Sequence, residues 1–285
     1  MDDFFCGWYF KCQSPGQTLA LIPAVHRHRG HTTASIQLIC DTGCWSVPVN
    51  CPHPQVLPHR PVARLGPNVF GPDGLRLDLQ TPVLSARGTL RFGPPTPLRS
   101  DIMGPFRWVP GMECQHSVYS MAHRVDGAVT VNGVAYRFDD GIGYLEGDRG
   151  RSFPSQYAWT HCAFPGGSLL LSAARIPFGP LHFTGVIAAV QLGRMEYRLA
   201  TYRGARAVKL QDGEILVRQG PLELSARKLE DTAQPLQAPV RGQMSRVIRE
   251  NAACRAQYRL TKHGRPLWAL ESSRASFEFE YPEMH

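Results

Sequence analysis

Two carboxylates and a histidine stand out in the stretch from Gly141 to Cys162. Glu146 and Asp148 are two residues apart, and His161 follows them. Side chains two residues apart share one face of an extended strand, so the two carboxylates can lie side by side. A carboxyl group in an apolar pocket, or beside a second carboxylate, can stay protonated near neutral pH and donate its proton. The pair therefore predicts general acid catalysis, with ordinary ion pairs to neighbouring arginines as the alternative interpretation.

A second segment adds further acid–base residues. Residues 113–123, ECQHSVYSMAH, alternate with the period of a strand and contain Glu113 and His116. Histidine titrates near neutral pH and can accept a proton from a phenol or from water, which would suit His116 or His161. A hydrogen-bonded core histidine or a structural carboxylate is the alternative for each. The candidate catalytic residues are Asp148, Glu146, His116, Glu113 and His161.

Aromatic residues near these groups could stabilise a cationic intermediate. The π face of a Trp or Tyr ring attracts a cation, whereas an anion would trap it. The same rings are also ordinary fillers of a β-barrel core. The candidate substrate-binding residues are Trp8, Tyr9, Trp108, Tyr144, Tyr157 and Trp159.

The elements that must position these residues are predicted to be short strands. Leu75, Leu77 and Leu79 alternate with polar residues, and Asn132-Gly133 between two apolar runs is a strong hairpin signal. The glycines and Pro154 of the central stretch predict a shaped loop between two strands. About sixteen short strands with turns between them predict an all-β protein.

So many strands exceed a single sandwich, so we expect two antiparallel β-barrel or sandwich halves. The boundary should lie near the central stretch, which gives domains of residues 1–155 and 156–285. One short helix is predicted at Met244–Ala253, where Val247 and Ile248 supply its apolar face.

Composition limits the partners. The formal charge is +8, but the arginines that supply most of it are scattered along the chain. A nucleic-acid-binding protein should show a clustered basic face or a known motif. The chain shows neither, so no nucleic-acid partner is predicted. The diffuse charge still allows peripheral contact with an anionic membrane surface. The oligomeric state is not indicated.

Cysteines and the N-terminus bear on the compartment. The chain has eight cysteines, yet Cys40, Cys44, Cys51 and His53 lack the paired spacing of a structural zinc site, and no metal is predicted. The acidic start, Met1-Asp2-Asp3, and the lack of an apolar run long enough to span a bilayer predict a cytoplasmic protein with reduced thiols.

Much of the chain resembles the tocopherol cyclase family. The matching segments occur in the family's order: GWYFK (7–11), IMGPF (102–106), PGMECQHSVYSMAH (110–123), GYLEGDRGRSFP (143–154), YAW (157–159), YRLATY (197–202) and APVRGQMSRVIRE (238–250). The central stretch is more distantly similar to carotenoid hydratases. Two departures from the family pattern are Arg149, where a Trp is usual, and Thr160-His161, where a Gln is common after the aromatic pair.

The resemblance implies two lipocalin-like halves without a metal or organic cofactor. It also implies an enzyme that protonates an isolated alkene of a prenylated or polyene substrate and traps the cation with an oxygen nucleophile. The leading hypothesis is therefore a cyclase, hydratase or isomerase of this kind. The alternative is a non-catalytic lipocalin-like carrier of a hydrophobic small molecule, for which Arg149 could bind a ligand carboxylate. A structural interaction module is the third hypothesis.

Overall fold

The computed structural model describes residues 3–178 and 180–282, and these residues form almost entirely β-structure. Helical structure among them is limited to two short 3-10 turns, Gly104–Trp108 and Thr201–Arg203. The strands in chain order are β1 Phe4–Ser14, β2 Gln17–His28, β3 His31–Cys40, β4 Gly43–Pro48, β5 Gln55–Val56, β6 Ala63–Leu65, β7 Asn68–Gly71, β8 Gly74–Gln80, β9 Ser85–Phe92, β10 Cys114–Val131, β11 Val134–Gly150, β12 Tyr157–Phe164, β13 Gly167–Phe178, β14 Leu181–Leu192, β15 Met195–Ala200, β16 Arg206–Gln211, β17 Glu214–Gln219, β18 Leu222–Lys228, β19 Gln234–Val240, β20 Gln243–Lys262 and β21 Arg265–Phe279.

The strands form two antiparallel sheets. The first sheet has the order β4-β3-β2-β1-β11-β10-β9-β8-β7-β6-β5. The second has the order β15-β14-β13-β12-β21-β20-β18-β17-β16, with β19 also paired to β20. The prediction of an all-β fold with two lipocalin-like halves is confirmed.

Each sheet has its own apolar core on one face. In the first sheet, Trp8, Phe10 and Leu145 belong to a buried cluster that continues through Leu38 to Leu77. The second sheet buries a separate cluster. Because successive side chains of a strand point to opposite faces, the residues between these core positions form a second face of the same strands.

Tight turns set the register of the hairpins. Asn132 and Gly133 join β10 to β11 with φ values of 47° and 84°, and Asp212 and Gly213 join β16 to β17 with 52° and 71°. Paired left-handed residues are what a type I′ hairpin turn requires. The hairpin predicted at Asn132-Gly133 is confirmed.

The predicted helix at Met244–Ala253 is wrong, because these residues lie inside β20. Ser245, Val247 and Arg249 are exposed, whereas Ile248 and Glu250 are buried. This alternation has the period of a strand, and the adjacent Val247 and Ile248 therefore point to opposite faces instead of sharing one.

The central loop also differs from expectation, because β11 continues to Gly150 and only residues 151–156 separate it from β12. Gly143 and Gly147 make room for rings within the strand instead of turning the chain. A Cβ atom on Gly143 would lie 2.2 Å from His123 Nε2, and one on Gly147 would lie 2.5 Å from the Trp8 ring.

The chain divides into two compact units that exchange segments. The first unit contains residues 1–98, 114–153 and 236–247, and the second contains residues 99–113, 154–235 and 248–285. The main division, between residues 153 and 154, lies near the predicted boundary at 155/156, but the two crossing segments were not predicted. Within the described ranges, no helix has the length and apolar character of a membrane span.

Candidate active site

The candidate site lies on the second face of the first sheet. Asp148 is paired directly with His116 of β10, and Glu146 is paired with Tyr9 of β1. Tyr144, Glu146 and Asp148 alternate along β11 and so share one face. The pairing thus brings a histidine from a position 32 residues away onto the two carboxylates.

The imidazole of His116 lies between two carboxylates. Its Nδ1 is 3.0 Å from Oδ1 of Asp148, and its Nε2 is 3.0 Å from Oε2 of Glu146. The Tyr144 hydroxyl donates a hydrogen bond of 2.5 Å to the same Oε2. Cys114 Sγ lies 3.5 Å from Asp148 Oδ1. We call Tyr144, Glu146, His116 and Asp148 the acid–base cluster.

Access to the acid–base cluster is graded. Tyr144 is 1% exposed, whereas the side chains of Glu146, His116 and Asp148 are 8%, 12% and 23% exposed. Asp148 is therefore the most exposed member of the acid–base cluster. Both described contacts of the Asp148 carboxylate use Oδ1.

The charges within the acid–base cluster favour a protonated histidine. Burial alone would lower the pKa of His116, but the charges of Glu146 and Asp148 and the hydrogen bonds to them raise it well above the ordinary 6.5. Both ring nitrogens of the cation carry protons, of which Nδ1–H donates to Asp148 Oδ1, while Nε2–H lies in an ion pair with the Glu146 carboxylate. Burial and the Glu146 charge also raise the pKa of Tyr144 well above 10, so its hydroxyl keeps its proton.

The raised His116 pKa predicts a specific pH dependence of folding stability. A folded pKa above the unfolded value contributes stability that is complete below about pH 6.5 and is lost as the pH rises through the folded pKa. The wild type should therefore lose more unfolding free energy than His116→Asn between pH 6.5 and alkaline pH. Urea unfolding of both proteins across this range is the measurement, and parallel curves would contradict a charged His116.

Two other predicted residues, Trp8 and Tyr9, are adjacent in sequence but point to opposite faces of β1. Tyr9 is on the cluster face, with its ring centroid 6.5 Å from that of Tyr144. Trp8 points to the core face, where it is 2% exposed and donates from Nε1 to the Leu57 carbonyl. Its environment is that of a core residue, away from the acid–base cluster.

Arg149 also alternates away from the acid–base cluster. Its guanidinium donates to the Pro58 carbonyl, to Gln115 Oε1 at 2.7 Å and to Ser117 Oγ. These contacts hold Arg149 in the structure of the sheet. The expectation that Arg149 would serve as a ligand-binding cation beside the carboxylates is therefore not supported by its position.

The remaining predicted residues belong to the second unit. Tyr157, Trp159 and His161 are buried on one face of β12. Glu113 and Trp108 lie in the 99–113 segment, and Trp108 is 76% exposed on a 3-10 turn.

Two carboxylates that are linked to Tyr157 in the second unit were not among the predicted site residues. Glu278 of β21 accepts a hydrogen bond from the Tyr157 hydroxyl, and Glu250 of β20 is paired directly with Glu278. Glu250 is 1% exposed. Its position inside the expected helix concealed the pairing, although the strand alternation of residues 243–250 would have indicated it.

Residue types alone would let His116, Glu146 and Asp148 bind a divalent cation. One ligand atom from each lies within 4.8 Å of the others, and this is the one such group among residues 3–178 and 180–282. One imidazole and two carboxylates suit several transition metals. Both imidazole nitrogens are directed at carboxylates, however, so a cation would have to replace one of these two contacts.

The chain matches no protein-family model and no curated protein. Its fold is similar to that of an AttH candidate from Nitrosomonas europaea, with a TM-score of 0.54, 12% identity, and coverage of 99% of this chain and 93% of that one. It is also similar to CghA solved with Sch210972, with a TM-score of 0.61, 13% identity, and coverage of 99% and 90%. CghA solved alone gives a TM-score of 0.60. At these identities the similarity concerns the fold alone.

Proposed function

We propose that this protein is a tocopherol cyclase-like enzyme that protonates an alkene of a hydrophobic prenylated or polyene substrate. The observation that supports this proposal most directly is the position of the His116 imidazole, which lies 3.0 Å from a carboxylate on each side on a buried sheet face. A charged triad that is largely removed from water is unusual unless it has a function, because burying ions costs free energy. The cyclase, hydratase or isomerase outcome depends on which oxygen traps the cation.

Asp148 is the proposed proton donor. In its reactive form the acid–base cluster carries one proton more than the ion triad, at Oδ2 of Asp148, and it transfers this proton to one alkene carbon, so that the π bond breaks, a C–H bond forms and the other carbon becomes cationic. A hydroxyl oxygen of the substrate, or a water molecule, then forms a C–O bond with that carbon. The proton released from this oxygen returns to Asp148, so the cycle needs neither an oxidant nor a reductant.

The other members of the acid–base cluster support this cycle electrostatically. Protonated His116 and ionised Glu146 offset each other, so the loss of the Asp148 proton leaves one net negative charge near the developing cation. The adjacent rings of Tyr9 and Tyr144 offer π surfaces to the same cation. A cofactor is not required by this chemistry.

The non-catalytic carrier is supported less well. One argument for it was a cation that could bind a ligand carboxylate, but Arg149 is engaged by Pro58, Gln115 and Ser117. An acid–base triad also adds nothing to the retention of a purely apolar ligand. That CghA has been solved with Sch210972 supports the idea that this fold can hold a ligand, without indicating which one.

The test is turnover in heavy water. The purified protein is incubated in D₂O with prenylated hydroquinones of increasing chain length and with a linear polyene, and the extracts are analysed by mass spectrometry. We expect one deuterium bound to carbon in a product that is an isomer or a hydrate of its substrate. Asp78→Asn, an exposed carboxylate variant on β8 of the same sheet, should behave as wild type. Compounds that bind but return unchanged, without deuterium, would refute the enzyme and favour the carrier.

A further inference from the structure

We propose that a surface patch of the second unit binds the surface of a bilayer that contains anionic lipids. The patch consists of the exposed apolar residues Trp108, Val109 and Leu181 with the basic residues Arg107 and Arg203, and we call it the Trp108 patch. This inference does not depend on the proposed function, because it concerns where the protein binds and not the reaction it catalyses.

The apolar residues of the Trp108 patch are unusually exposed. Trp108 is 76% exposed, Leu181 68% and Val109 41%. An exposed Trp gains free energy at the boundary between lipid headgroups and acyl chains, where its ring is buried and its N–H can still be hydrogen-bonded. A single exposed apolar residue needs no explanation, but Trp108 at the end of a 3-10 turn and Leu181 at the start of β14 lie on segments that contact each other.

Aromatic contacts hold the 3-10 turn that contains Trp108 against the start of β14. Phe106, in the same 3-10 turn as Trp108, has its ring 6.2 Å from that of Phe183, which is near Leu181 on β14. Phe106 is also 6.2 Å from the Tyr202 ring. Gly104 approaches Tyr202 so closely that a Cβ would lie 2.6 Å from the ring. The exposed residues are therefore carried on a packed base.

The charges of the Trp108 patch complement an anionic surface. The guanidinium of Arg107 stacks 4.6 Å from the Trp108 ring and pairs with Asp101 at 3.2 Å, and that of Arg203 lies 5.9 Å from the Tyr202 ring. Asp101 offsets the charge of Arg107, so the exposed Arg203 is the arginine of the patch that binds a lipid phosphate. The protein as a whole carries +8, which adds long-range attraction to anionic lipids.

A bilayer fits these observations better than a protein partner. A stable protein–protein interface buries roughly 1,600 Å² with a well-packed centre. Three exposed apolar side chains fall far short of such an area, whereas a few anchors combined with basic residues are enough for reversible attachment to a membrane. The exposed Trp108 with a guanidinium stacked on it has the amphipathic character of an interfacial anchor.

The experiment is sedimentation of the full chain with vesicles. Vesicles of phosphatidylcholine alone are compared with vesicles that also contain phosphatidylserine, at low and physiological salt. We expect binding to the anionic vesicles, a several-fold loss in Trp108→Ala, and a loss of about fivefold in Arg203→Gln. Met195→Ala is the matched control, because Met195 is 57% exposed beyond the opposite end of β14.

Three outcomes would overturn the proposal. One is the absence of sedimentation with either vesicle, and another is equal loss of binding in Trp108→Ala and Met195→Ala. The third is self-association of the wild type that Trp108→Ala abolishes, measured by light scattering without vesicles, which would assign the patch to a second copy of the chain. Circular dichroism of each variant confirms that the fold is retained.

Discussion

Asp148→Asn should lower the initial rate of deuterium transfer to substrate carbon by about 10²–10⁴-fold, the usual contribution of a positioned general acid. The amide keeps the size of the side chain and can still hydrogen-bond to His116, but it has no acidic proton to transfer to carbon. His116→Asn should cause a similar loss, because it removes the cation that lies between the Glu146 and Asp148 carboxylates.

The double variant provides the sharper test. Residues that act as one unit lose activity non-additively, so Asp148→Asn combined with His116→Asn should be hardly slower than either single variant. Asp78→Asn is again the control. If Asp148→Asn retains a rate close to that of wild type, or if the two losses multiply, the residues do not share one proton-transfer step.

Arg198→Met should destabilise the second unit by about 3–5 kcal/mol, because it leaves a buried carboxylate without its cation. The side chains of Arg198 and Glu196 are 2% and 6% exposed, and their contact is 2.7 Å. Arg198 also donates to the carbonyls of Ser100 and Asp101, so it holds the 99–113 segment against this unit. The shift of the urea midpoint, followed by tryptophan fluorescence, is the measurement.

A surface pair of the same chemistry is the control. Arg218 and Glu223 contact at 2.5 Å, but their side chains are 59% and 35% exposed, so Arg218→Met should change stability by no more than about 1 kcal/mol. Arg198→Met combined with Glu196→Gln should recover part of the loss. Equal losses in Arg198→Met and Arg218→Met would show that burial of the Arg198 pair contributes nothing.

Local patterns were sufficient for the class of fold. Alternation such as that of Leu75, Leu77 and Leu79, and turn dipeptides such as Asn132-Gly133, depend on neighbouring residues alone. They fail where two readings are compatible with one short segment, as at Val247 and Ile248 in β20. They also fail for Gly143 and Gly147, because a glycine that makes room for a distant ring looks the same in sequence as one that turns the chain.

The candidate site was predictable in its residue types but not in its geometry. Strand alternation places Glu146 and Asp148 on one face, yet the position of His116 between them depends on the register of β10 against β11. A shift of one residue would turn either set to the other face, and β-bulges in β10 alter that register further along. The face of the sheet on which Trp8 and Arg149 lie likewise depends on the pairing of β1 with β11.

The exchanged segments of the two units impose an order on the synthesis of the chain. Residues 236–247 belong to the first unit, although most of that unit is made by residue 153. A ribosome needs on the order of 5–20 s to produce the intervening residues, so the first unit waits that long for its last segment. During this interval it is exposed to chaperones and proteases as an incomplete intermediate. A cut of the gene between residues 153 and 154 would deprive the first unit of residues 236–247 and the second unit of residues 99–113.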